Sequence, residues 1–247
     1  MEALILAAGL GTRLGEIGKE TPKALLEVAG RTMLEHAARR LAVAGVDRVI
    51  VNAHHHADQI ERFVASHELG VEVLVSFERE RPLETGGALV HARHFFRREE
   101  PFFIQNVDVI TDPDYRSLLA AHHESGALVT LAVSGRPSPR KLLFDDDGLY
   151  GWVNETTGKG SGIREPRGEV QRWPFTGIHV ASPALLDLIT EEGVFSILDP
   201  YFRLARMGYA IRPASIGDAL WMEVGTPERL AAARVALEEA EQRPESR

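Results

Sequence analysis

The chain has 247 residues and a formal net charge of -8, with 28 Lys and Arg against 36 Asp and Glu, and it contains no cysteine. That balance, with the basic residues scattered, argues against a nucleic acid partner, and the missing cysteine excludes disulfides, thiolate nucleophiles and cysteine zinc sites. A hydrophobic fraction of 44% and a charged fraction of 26% fit one folded α/β domain, expected over residues 1–240, and no apolar run reaches the length of a membrane helix.

Residues 3–7 are apolar and read as a strand buried on both faces. The strand runs into Gly9-Leu10-Gly11, where the backbone can approach an anion closely, and Arg13 and Lys23 follow as cations able to neutralise phosphate. Leu14 stands where a dinucleotide fingerprint needs its third glycine, and no Gly-Lys-Ser or Gly-Lys-Thr follows, which disfavours an NAD enzyme and a Walker loop. The pattern suits a nucleoside triphosphate.

Helices and strands then alternate: a helix over 32–44 with Thr32 and Glu35 as a capping box and Gly45 at its end, a strand over 48–52, a helix over 57–68, a strand over 71–76 and a helix over 87–95. This βαβ order predicts a doubly wound, mostly parallel sheet. The next strand, 102–107, ends in Asn106-Val107-Asp108 and so delivers an acid to the ligand edge of such a sheet. Taken alone, Asp108 could equally cap the following helix or make an ion pair.

A helix over 115–125, with His122-His123 expected to be solvated, and a strand over 128–134 follow. Arg136-Pro137-Ser138-Pro139-Arg140 breaks the pattern and opens a β-hairpin insertion, about 136–172, expected to cover the substrate, with a mobile Gly158-Lys159-Gly160-Ser161-Gly162 loop in which Lys159 could reach a substrate anion or simply stand exposed. A strand over 175–180, helices over 183–190 and 196–207, and two strands, 210–216 and 220–224, return to the sheet. Thr226-Pro227-Glu228 starts the last helix, and 241–247 reads as a polar tail. His54-His55-His56 reads as a loop and not as a transition-metal site, because three consecutive side chains cannot converge from a strand. With no leader-type segment before the first strand, the expected location is the cytoplasm.

Leu6-Ala7-Ala8-Gly9-Leu10-Gly11-Thr12-Arg13, with Thr21-Pro22-Lys23-Ala24-Leu25, resembles the signature of the sugar nucleotidyltransferases. The likeness continues through Pro82-Leu83-Glu84-Thr85-Gly86-Gly87, Asn106-Val107-Asp108, Phe175-Thr176-Gly177-Ile178 and Trp221-Met222-Glu223-Val224-Gly225-Thr226-Pro227. It departs from the family pattern in Glu223 for an aspartate, Val107 for a glycine, Ala24 for a proline and the missing Pro-Leu-Thr after Arg13.

The resemblance implies a Rossmann-like nucleotidyltransferase fold. It also implies attack by a sugar 1-phosphate on the α-phosphorus of a nucleoside triphosphate, with release of pyrophosphate. Leu6, Ala8, Gly9, Gly11, Thr12 and Asn106 would follow the nucleotide, and Glu84, Thr85 and Gly86 would form the turn beside its base. A plain helix start, with Thr85 as cap and the glycines as the turn, is the structural alternative. Arg13 would hold the departing phosphates, Lys23 the α-phosphate, and Asp108 and Glu223 a Mg²⁺ ion. Thr176 and Gly177 would lie near the sugar, Thr176 donating to a hydroxyl or phosphate, with Asn154 and Glu155 as further candidates.

Within the family the stretch from Leu83 is most similar to the N-acetylmuramate 1-phosphate uridylyltransferases, with mannose and heptose 1-phosphate guanylyltransferases as rivals. The lack of a β-helix extension leads to the expectation of nucleotidyl transfer alone, by a monomer or small homo-oligomer. A sensor that binds nucleotide sugar without turnover is the alternative from another class, and Val107 and Glu223 motivate it.

Overall fold

The computed structural model describes residues 1–242. β1 (Glu2–Leu6) leads through the glycine loop to the short α1 (Glu16–Glu20), and a small hairpin, β2 (Glu27–Val28) and β3 (Arg31–Thr32), precedes α2 (Met33–Val43). The alternation continues with β4 (Arg48–Ala53), α3 (Ala57–Ser66), β5 (Glu72–Phe77), α4 (Glu84–Ala92), β6 (Phe102–Asn106), β7 (Val109–Thr111), α5 (Tyr115–Ser125) and β8 (Val129–Val133). An inserted group, β9 (Arg140–Asp145), β10 (Gly148–Asn154), β11 (Lys159–Gly162) and β12 (Gln171–Trp173), comes before β13 (Phe175–Ala181), α6 (Leu185–Leu188), α7 (Leu198–Arg206), β14 (Ile211–Ser215), β15 (Trp221–Glu223) and α8 (Pro227–Gln242).

The main sheet has seven strands in the order β14-β8-β13-β6-β1-β4-β5, parallel except for β13. Along β1, Ala3 and Ile5 enter one core with Leu34 of α2 and Leu230 of α8, whereas Leu4 enters the other with Leu89 of α4 and Leu204 of α7. This period-two division buries both faces of the sheet under helices, which is the doubly wound arrangement. In register, Leu6 of β1 lies opposite Asn52 on one side and Asn106 on the other. The glycine loop therefore leaves the sheet edge directly beside Asn106-Val107-Asp108.

Local signals account for several element ends. Thr32 and Glu35 form the expected reciprocal capping box, while Asp114 caps α5 and Gly126, at φ 58°, closes it.

Other expectations need correction. The segment 220–224 does not rejoin the main sheet: β15 pairs antiparallel with β7 in a separate ribbon, pinned by the bond from Leu220 N to Asp112 Oδ1 at 2.7 Å. The expected inserted hairpin is present as β9 and β10, and β11 and β12 extend it to a four-stranded antiparallel sheet in the order β11-β10-β9-β12, whose Leu142, Phe144 and Leu149 belong to the second core. Its glycine-rich stretch is paired, Ser161 lying opposite Trp152. A Cβ at Gly151 would stand 2.4 Å from the Ser161 carbonyl oxygen, so glycine is what permits that pairing. Lys159 is exposed on this outer strand.

His122 is not solvated: it is 2% exposed and bonded to Thr130 Oγ1 and Ser182 Oγ, because α5 turns that position onto the sheet. The expected tail begins inside α8, which continues to Gln242, and its residues 243–247 lie outside the described residues.

Candidate active site

Two clefts meet at the carboxyl edge of β1 and β6. The first has a volume of ≈ 420 Å³ and is walled by Leu6, Ala8 and Gly9 on one side and by Glu84 and Thr85 on the other. Asn106 and Asp108 close it and also line the second cleft, of ≈ 670 Å³, so these two residues mark the junction.

The glycine loop is held from below. Gly11 sits at φ 62° and accepts the Leu14 N–H at 2.8 Å, and a Cβ on Gly18 of α1 would come within 2.4 Å of the Gly11 carbonyl oxygen. Only glycine at 18 lets α1 lie this close. A Cβ on Gly9 would meet nothing within 4 Å, so the loop is open on the cleft side there. Gly11 and exposed Thr12, both expected to follow the nucleotide, belong to the loop but do not line the first cleft.

A buried polar relay ties the two walls together. Asn52 Oδ1 accepts the Ala7 N–H at 2.6 Å, its Nδ2 donates to Glu78 Oε1 at 2.7 Å, and Glu78 Oε2 accepts the Leu83 N–H at 2.8 Å. Asn52 and Glu78 are each 3% exposed. Each bond satisfies a group that would otherwise be buried without a partner, so the loop and the Leu83 turn are fixed relative to each other.

The turn beside the first cleft differs from both readings of it. Glu84 begins α4 with φ 57°, a left-handed conformation uncommon for a residue with a side chain, and Leu83 precedes it as cap. Thr85 does not cap its own helix. Its Oγ1 accepts the Ile197 N–H at 2.9 Å, which leaves the hydroxyl proton free to donate into the cleft. Gly86 and Gly87 lie within the helix and not in a turn. Cβ atoms there would fall 2.3 Å from the Phe195 ring and 2.3 Å from the Gly193 carbonyl oxygen, so their role is close packing against the 193–197 segment.

At the junction Lys23 Nζ lies 2.8 Å from Asp108 Oδ2. Antiparallel pairing of β7 with β15 puts Glu223 opposite Val109, and Val224 N donates to the Asp108 carbonyl at 2.7 Å. Glu223 in turn pairs with Arg13 at 3.4 Å and with Arg229. The four residues expected to carry phosphate and metal, Arg13, Lys23, Asp108 and Glu223, are thus gathered here. Arg229, which the sequence reading missed, joins them from the first turns of α8.

Among the described residues no group of three or more metal-binding side chains is assembled. Asp108 and Glu223 offer two hard carboxylates on one cleft wall, and Mg²⁺ commonly takes one or two carboxylates from protein and the rest of its shell from phosphate and water. The donor set fits that ion.

The second cleft holds the sugar-side candidates, with corrections. Thr176 lines it but is 1% exposed, and its Oγ1 donates to the Ala132 carbonyl at 2.8 Å; the hydroxyl is committed to the sheet and not to a ligand. Gly177, at φ 84°, leaves room for the Asn106 amide, which a Cβ would meet at 2.8 Å. Asn154 lines the cleft and accepts the Thr156 and Thr157 N–H groups at 3.1 and 3.2 Å, while Glu155 pairs with Lys141 at 2.9 Å. The histidine run is a loop: His54 is bonded to the Glu78 carbonyl and His56, at φ 54°, to that of Lys19.

Residues 2–144 match the family described as Nucleotidyl transferase. The chain is 32% identical over 248 residues to N-acetylmuramate alpha-1-phosphate uridylyltransferase of Caulobacter vibrioides, covering 96% of this chain and 97% of that one. It is also 32% identical over 238 residues to the mannose-1-phosphate guanylyltransferase catalytic subunit beta of Drosophila melanogaster, covering 92% of this chain but only 60% of that one. Among solved structures it resembles HddC from Yersinia pseudotuberculosis, with TM-score 0.75, 21% identity and coverage of 96% and 99%. A putative glucose-1-phosphate thymidylyltransferase from Bacillus anthracis gives TM-score 0.79, 19% identity and coverage of 100% and 98%.

Proposed function

The chain belongs to the nucleotidyl transferase family, and on that premise we propose that it joins a nucleoside monophosphate to a sugar 1-phosphate, with UTP and N-acetylmuramate 1-phosphate as the pair. One phosphate oxygen of the sugar forms a bond to the α-phosphorus while the bond from that phosphorus to the bridging oxygen of the β-phosphate breaks, so pyrophosphate leaves with the electron pair. The nucleophile is already ionised, and the protein's task is alignment and neutralisation of two mutually repelling phosphates.

The observation that carries this reading is the junction: one cleft for a nucleotide, one for a second substrate, and Asp108 shared between them beside Lys23 and Glu223. In the proposal Lys23 holds the α-phosphate and Arg13 the departing pyrophosphate. The Thr85 hydroxyl and the backbone of the Leu83–Glu84 turn face the edge of the base. Asp108 and Glu223 would hold Mg²⁺, which when bound neutralises phosphate charge and polarises the reacting phosphoryl group. The proposal places the reaction in the cytoplasm.

Pyrophosphate release with Mg²⁺ tests it, scanning UTP, GTP, CTP, ATP and dTTP against N-acetylmuramate, mannose, glucose and heptose 1-phosphates. Release with UTP and N-acetylmuramate 1-phosphate supports the full assignment. Release only with GTP and mannose or heptose 1-phosphate keeps the chemistry and replaces the pair. Tight binding of a nucleotide sugar with no release from any pair makes the protein a sensor, a reading that Glu223, lying between two guanidinium groups, already motivates.

A further inference from the structure

Arg136 is a partly buried guanidinium with no carboxylate partner among the described residues. Its chain position follows from β8: the strand ends at Val133, and the segment after it brings Arg136 onto Trp221 of β15. There the guanidinium stacks 3.6 Å from the centre of the Trp221 ring, and one Nη donates to the Phe175 carbonyl at 2.9 Å. The indole is itself fixed, its Nε1 donating to the Thr176 carbonyl at 2.8 Å. Two successive carbonyls of β13 therefore set the positions of a planar cation and the ring it lies on.

This arrangement leaves Arg136 Nε buried and without a partner. Nη1 likewise has no hydrogen-bond partner among the described residues but is not enclosed by protein, so the end of the guanidinium is where an anion in the cleft could offset the cost of withdrawing this cation from water. Burial holds its pKa below the usual arginine value, Glu223 opposing that effect and Arg229 adding to it. Arg136 lines the second cleft together with Asp108 and Glu223, yet both cations that pair with Glu223 are other residues. The Thr176 hydroxyl, expected to meet the sugar phosphate, is already committed elsewhere.

We propose that Arg136 is the anion-binding residue of the acceptor site, its fork holding an oxyanion of the incoming sugar 1-phosphate: the phosphate itself, or the carboxylate of a sugar acid. The inference rests on the reading of the second cleft as the acceptor site. A guanidinium held flat on an aromatic ring presents its edge in a fixed plane, which matches two oxygens of a phosphate or carboxylate. A lysine here would lack that geometry.

The test compares Arg136→Met and Arg136→Gln with the unaltered chain. N-acetylmuramate 1-phosphate and N-acetylglucosamine 1-phosphate, which differ by the lactyl carboxylate, serve as acceptors. KM values come from pyrophosphate release with UTP, and Kd values from calorimetry with a non-hydrolysable UTP analogue present, which reads the acceptor site whether or not turnover occurs. Both variants are expected to raise the acceptor KM and Kd about tenfold or more, the scale of one lost charge-assisted contact, with the UTP constants unchanged. Weakening for both sugars assigns the phosphate, and weakening for N-acetylmuramate 1-phosphate alone assigns the carboxylate.

Acceptor constants that stay the same, or that change only in step with those for UTP, overturn the inference, as does an unaltered chain that binds neither sugar phosphate. Failure of turnover with acceptor binding intact would count against the proposed reaction and not against Arg136. Glutamine keeps a polar, uncharged side chain at this position, so that variant decides the matter if the methionine variant does not fold.

Discussion

Lys23 Nζ stands 2.8 Å from Asp108 Oδ2 at the line where the two clefts meet, and Lys23 is only 9% exposed. Each is the other's counter-ion, and a polyphosphate would compete for the lysine as a divalent cation would for the aspartate. Asp108→Asn and Lys23→Met are each expected to lower kcat for pyrophosphate release by about 100-fold or more, the scale of losing one aligned charge in a phosphoryl-transfer site. Because the two act as a unit, the double variant should be little worse than the poorer single one. A steady-state kinetic cycle on the four proteins checks this, and multiplicative losses would show that the pair does not act together.

Glu223 sits between Arg13 and Arg229 where the family pattern has an aspartate. If it is a Mg²⁺ ligand, Glu223→Gln should raise the Mg²⁺ concentration for half-maximal rate by about tenfold, because the neutral amide loses the charge attraction that a hard cation needs. Glu223→Asp should keep the rate within severalfold, since the charge survives. Titrating pyrophosphate release with Mg²⁺ decides it. An unchanged Mg²⁺ dependence in Glu223→Gln would leave Glu223 as an organiser of the two arginines only.

Gly18 illustrates how a residue with no reactive group controls the site. A Cβ there would press 2.4 Å from the Gly11 carbonyl oxygen and 3.2 Å from Leu14 Cβ. Gly18→Ala is expected to destabilise the fold by about 1–3 kcal/mol, the usual cost of overpacking, and to raise the KM for nucleotide by displacing the loop. Urea unfolding and nucleotide KM, measured on the same protein, test the two halves. A normal KM would mean that the loop yields without cost to binding.

Much of this was legible in the chain because it was local. The Thr32 and Glu35 box is decided within one turn, and the glycine loop lies beside its own strand. What escaped was set by distant segments. Gly86 and Gly87 look like a turn until Phe195 and Gly193 are packed against them. Thr176 looks available until Ala132 on the neighbouring strand takes its hydroxyl, and the apolar run around Trp221 carries no sign that β7, and not the main sheet, is its partner. Asn52 and Glu78 carry no local signal of a role, and only strand register joins them to Ala7 and Leu83. Arg136 stood only as the first residue of a pattern-breaking segment, because its ring and its carbonyl come from β15 and β13.

The buried histidines set how the protein responds to acid. Burial pushes the His122 pKa down to about 4, with His123 adding to the effect, and burial alone pushes His179, bonded to the Tyr201 hydroxyl at 3.0 Å, down to about 3. Both are neutral in the fold at pH 7, whereas in the unfolded chain they take up protons near pH 6.5. Below that value the unfolded state binds protons that the folded state refuses, so stability is complete above about pH 7 and falls as the pH drops toward 4. The slope approaches about 1.4 kcal/mol per pH unit for each histidine. Carboxylates act lower: Arg164 holds Asp145 down to about 2, so its contribution is lost only below about pH 4. Urea unfolding from pH 8 to 4.5 should therefore show a decline that begins near pH 6.5. His122→Gln and His179→Gln, each less stable than the parent at pH 8, should lose less on acidification, so that the gap narrows by about 1.4 kcal/mol per unit once the pH is well below 6.5. A gap that stays constant across that range would mean that neither ring is the group that refuses the proton.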